Sequence, residues 1–137
     1  MSGDREFIAA FEACRLPPTA FRHRDHIRLA WLYLRNSDLP TAMQSFAVGL
    51  RRYAASLGKD GLYHETITFA FLVAVNERMA RGSADADWET FCAANPDLFL
   101  YPSPLLARLY RPETLKSDLA RRTFVLPDNV IEEAAVP

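Results

Sequence analysis

The chain has 137 residues, half of them hydrophobic and 24% charged, with a formal net charge of -1. This length encloses one core and the composition is that of a folded globular domain, which excludes a disordered chain. The small net charge excludes a general field for nucleic acid or anionic lipid, leaving only Arg51 with Arg52 and Arg121 with Arg122 as local basic pairs.

Ser2 is placed to cap a first helix reaching about Arg15, with Asp4 and Glu6 in its first turn, and "LPP" at 16–18 closes it. A second helix is expected from about His23 to Arg35, where "NSDLP" breaks the pattern. Pro40 occupies a tolerated first-turn position before a third helix that ends at Gly58. After the turn "GKDG", a fourth helix opens at His64 and stops at Gly82. It is apolar on nearly every side between Ile67 and Val75, the pattern of a central, mostly buried helix.

From Ser83 onward the elements shorten. "DWETFCAAN" begins with a capping aspartate, "SPLLARLY" follows a proline-rich turn, and "PETLKSDLARR" reads as one last amphipathic helix. The tail from about Phe124 is expected to be irregular, and sustained period-2 alternation is missing throughout. The expected fold is therefore a single-domain, all-α bundle of about five to seven helices over residues 1–137.

The N-terminal segment lacks a signal-peptide pattern and no stretch approaches the roughly 20 apolar residues of a membrane span. A cytoplasmic location without membrane or nucleic-acid partners follows as the expectation. Cys14 and Cys92 fall outside any CxxC spacing and are expected to be buried thiols.

"FRHRDHIRLAW" holds His23 and His26, and "YHETIT" holds His64, the third of the chain's three histidines. Each helical residue advances about 100°, so with His23 at 0° His26 lies near 300°, Ala30 near 340° and Ile27 near 40°. Both imidazoles share the apolar stripe, while Arg24, Asp25, Arg28 and Arg35 fall at about 100–200°, on a solvated face. Imidazoles three residues apart are close enough to converge on one cation. If the second and fourth helices pack together, His64 joins them, giving three neutral nitrogen ligands and an open position suited to zinc or ferrous iron.

Around that centre Glu65 is a candidate fourth ligand or general base, Thr68 a candidate for orienting water, and Tyr33 and Tyr63 candidate hydrogen-bond donors. The spacing is not the zincin HExxH, because Thr68 stands in the place of its second histidine. Two functions follow. One is a metal-dependent enzyme activating water for hydrolysis of a small-molecule substrate. The alternative is a non-catalytic interaction or small-ligand-binding module whose buried histidines are satisfied by protein groups.

Taken together, "FRHRDHIRLAWLYL", "YHETIT" and "RRTFVLPD" resemble a group of small bacterial proteins of uncharacterised function. These carry F-x-H-x-x-H-[IL]-x-x-A-W followed by Y-H-x-T-[IL]-T. The matching positions are Phe21, His23, His26, Ala30 and Trp31, then Tyr63, His64, Thr66 and Thr68. The resemblance spans most of the chain and implies no particular substrate. The HxxH spacing departs from the three-histidine centres of DinB-like bundles, an analogy at the level of fold.

Overall fold

The structure, a computed structural model, describes residues 2–83 and 85–129. Among these residues there are eight α-helices and no strands: α1 (Ser2–Glu12), α2 (His23–Asn36), α3 (Leu39–Ser56), α4 (Glu65–Arg81), α5 (Trp88–Ala94), α6 (Pro104–Leu109), α7 (Pro112–Leu115) and α8 (Asp118–Arg122). Short 3-10 turns at Pro18–Ala20, Asp60–Leu62 and Pro96–Phe99 join some of them. None of the described helices is long and apolar enough to cross a membrane.

Four of the described helices, α3, α5, α6 and α8, begin where the sequence offers a short polar side chain. The side chains of Asp38, Asp87, Ser103 and Ser117 accept from the backbone N–H of Thr41, Thr90, Leu106 and Ala120 at 2.9 to 3.1 Å. Each bond satisfies a donor that the first helical turn leaves without a partner. The capping contact expected of the Ser2 side chain lies outside the described residues.

Ser117 also corrects one boundary. Its hydroxyl donates to Thr114 O at 2.7 Å and caps the helix that follows, so "PETLKSDLARR" forms two short helices, α7 and α8, in place of one. The first helix stops at Glu12, three residues early, because Cys14 takes a left-handed φ of 58°. At the end of α3, Gly58 supplies the same turn with a φ of 70°.

The core forms where α2 packs on α3 and α4, with α1 lying against α3. Phe11, Ile27, Leu29, Leu72, Val75, Leu98 and Tyr110 are its most deeply buried large side chains. Gly49 permits the α1–α3 approach: a Cβ there would lie 2.5 Å from the Phe11 ring. The apolar pattern of α4 overstates its enclosure, since Val73 is 44% exposed. α8 covers part of α4, but it has five residues against seventeen and leaves a strip open.

Residues 123–129 form no regular element, yet they are tied down as a strap. Fully buried Thr66 donates its hydroxyl to Thr123 O at 2.9 Å and accepts from the Val125 N–H at 3.1 Å. Tyr110 donates to Val125 O at 2.7 Å, and Asp128 accepts from both the Arg111 N–H and the Thr114 hydroxyl. The remainder of the expected irregular tail, residues 130–137, lies outside the described residues. Both cysteines are free thiols and only half-buried, less enclosed than expected.

Candidate functional site

A cleft of about 480 Å³ opens between α2, α3 and α4, closed on one side by the loop that follows α3. Its volume falls within the range of small-molecule sites. The apolar walls come from helical stripes: Ile27 on α2, Phe46 and Leu50 on α3 with Leu57 just past its end, and Ile67 and Phe71 on α4. Phe21, from the turn preceding α2, completes them. All three histidines line this one cleft.

Their nitrogens are used differently. His23 Nε2–H donates to Leu98 O at 2.8 Å, and its ring packs edge-on to Phe71 and beside Tyr101, with centroids 5.0 and 5.1 Å apart. A carbonyl accepts only, so this contact places a proton on His23 Nε2. His64 has both nitrogens engaged: Nε2–H donates to Leu115 O at 2.7 Å, and Nδ1 accepts from the Ile67 N–H at 3.1 Å as the N-cap of α4. Burial lowers its pKa, holding it in this neutral tautomer.

His26 differs from both. Its ring lies 4.1 Å from the Phe21 ring and makes no side-chain hydrogen bond among the described residues. None of the described buried side-chain nitrogens or oxygens lacks a partner, so the His26 nitrogens keep accessible surface, and the residue lines the cleft. Burial, with a smaller contribution from the neighbouring His23, lowers its pKa to about 4 and keeps it neutral at physiological pH.

The other expected site residues are divided by the fold. Thr68 lines the cleft, but its hydroxyl donates to His64 O at 2.7 Å. Tyr63 stands between two hollows and donates to Glu65 Oε1 at 2.7 Å, which with burial raises its pKa. Glu65 itself faces the second hollow, with Arg51, Asp60 and Arg121, because one helical step turns it away from His64. It is thus not positioned as a base in the histidine cleft. Tyr33 is likewise absent from that cleft; it donates to Glu12 Oε2 at 2.6 Å beneath α1.

The charged residues of α2 occupy a separate groove against α1 and α5. Arg28 pairs with Asp4 at 2.6 Å and lies over Phe7, Arg24 lies over Trp88 and Phe99, and Arg35 lies over Trp31. These cations are held on aromatic faces. They do not enter the histidine cleft.

Tyr53, Lys59 and Tyr101 also line the cleft, although nothing in the sequence had singled them out. Tyr53 was within reach of periodicity, since 46, 50, 53, 54 and 57 share one face of α3. Lys59 and Tyr101 arrive on loops, and no local pattern marks them. Among the described residues, no three His, Cys, Asp or Glu side chains are placed to hold a metal ion together. A metal-binding imidazole needs a free lone pair, and that of His64 is occupied by the Ile67 N–H. Comparison with known proteins returned no matching family model, no matching curated protein and no matching solved structure.

Proposed function

We propose that this protein binds a small molecule with an apolar body in the histidine cleft, and that His26 supplies its main polar contact. The observation that carries this reading is His26 itself: a half-buried, neutral imidazole lining an apolar cleft, whose nitrogens have no hydrogen-bond partner among the described residues. A ligand that displaces solvent from these nitrogens must replace the hydrogen bonds it removes, and one bearing a matching donor or acceptor does so. His23 is tied to Leu98 O and His64 serves as a helix cap. A three-histidine hydrolytic metal centre, in contrast, requires His64 to give up the bonds that fix the start of α4.

The test is an NMR titration with 5-phenylpentanol, following the side-chain resonances of His23, His26 and Phe71. Saturable shifts confined to these residues support the reading. Ala54 lines the same space, and Ala54→Trp should fill it and abolish the shifts, with a thermal melt confirming that the variant is folded. Stoichiometric zinc binding lost in both His26→Ala and His64→Ala would overturn the reading in favour of the metal centre.

A further inference from the structure

We infer that the ligand's polar end is an anion, so that the cleft takes an apolar carboxylic acid whose carboxylate meets Lys59 and His26. This deepens, and rests on, the reading of the cleft as a small-molecule site. The chain carries 17 acidic residues and a net charge of -1, yet no Asp or Glu among the described residues lines the histidine cleft. The one fully charged side chain there is Lys59, exposed on the loop at the rim and without an ion-pair partner among the described residues.

The hydrogen-bond ledger favours the same headgroup. Several donors that reach the cleft are already spent on protein acceptors: His23 on Leu98 O, His64 on Leu115 O, Tyr53 on Leu16 O and Thr68 on His64 O. The unspent nitrogen donors are the His26 ring N–H and the Lys59 ammonium, and both suit an acceptor-only group. A cationic ligand would face Lys59 with no carboxylate to offset it. Aromatic rings from Phe21, Phe46 and Phe71 suit a phenyl or alkyl body.

The experiment compares 5-phenylpentanoate with 5-phenylpentanamide and 5-phenylpentanol, titrated into the full chain at low ionic strength and read from the side-chain resonances of Phe71 and His23, which every variant keeps. The acid should bind about tenfold more tightly than the amide, and that ratio should shrink with added salt. It should also fall below about threefold in Lys59→Gln and in His26→Gln, because each removes one partner of the carboxylate. Equal affinity for acid, amide and alcohol overturns the carboxylate inference and leaves the cleft reading standing. Absence of binding by all three overturns both. A tenfold preference that survives in both variants also overturns the inference, since the anion must then be held elsewhere.

Discussion

Acidification should destabilise the fold through His26, and the size of the effect follows from its environment. The folded protein holds His26 at a pKa of about 4, chiefly by burial, whereas the unfolded chain restores the ordinary value of 6.5. A lowered folded-state pKa means that the unfolded state binds the proton first. The associated stability is therefore complete above pH 6.5 and is lost as pH falls towards about 4. At the lower end the loss from this one ring amounts to about 3 kcal/mol.

His64 shifts in the same direction and carboxylates titrate nearby, so the measurement must be a difference. Urea unfolding of the parent and of His26→Phe, which keeps a ring against Phe21, should be compared at about pH 7.5 and about pH 4. The parent should lose about 3 kcal/mol more than the variant across that range. A difference below about 1 kcal/mol, or a His26 ring that titrates near its ordinary value in an NMR pH series, would refute the reasoning.

Thr66→Val should cost about 1–3 kcal/mol, because it strands Thr123 O and the Val125 N–H; faster hydrogen exchange at Val125 checks that the strap has loosened. Gly49→Ala should destabilise by about 1–3 kcal/mol, as the new methyl meets the fully buried Phe11 ring; an unchanged thermal midpoint would show that α1 can shift freely. Cys14→Gly should raise stability by about 1 kcal/mol, since the left-handed backbone at that position suits glycine; urea unfolding under reducing conditions reads the gain.

Elements governed by local rules were readable from the sequence. Asp87 marks a helix start, Pro40 falls in the first turn of α3 and Gly58 follows its end, and the apolar stripe of α2 faces the core. The division of α2 into an imidazole side and a charged side was equally legible, because 100° arithmetic depends only on neighbours. Two failures were also local. Ser117 has the chemistry of a cap but lies inside an amphipathic pattern, and the turn at Cys14 uses a residue for which a left-handed backbone is uncommon.

The site was legible in position and less so in detail. Sequence periodicity placed all three histidines on inward faces, but it carries no information about carbonyls 51 or 75 residues away that occupy His64 and His23. "YHETIT" looked like site chemistry. Much of it instead fastens the start of α4: His64 caps the helix, Thr66 grips the strap and Thr68 binds back to His64 O. Only His26 is left without such a task, a distinction that requires tertiary contacts.

The strap bears on the order in which the fold is completed during synthesis. Thr66 and Thr123 are 57 residues apart, and closing a loop of that length costs on the order of 3–4 kcal/mol in chain entropy beyond a fixed constant. An emerging chain that has reached the end of α4 already contains most of the cleft's walls, but not Leu115 or Thr123, which fix the first turn of α4. The bond from His64 waits for Leu115, and those of Thr66 wait for Thr123 and Val125, beyond the end of α8. A stalled, shorter chain should therefore carry a fluctuating start to α4, whose final position depends on the last contacts made and not on the helices that supply most of the surface.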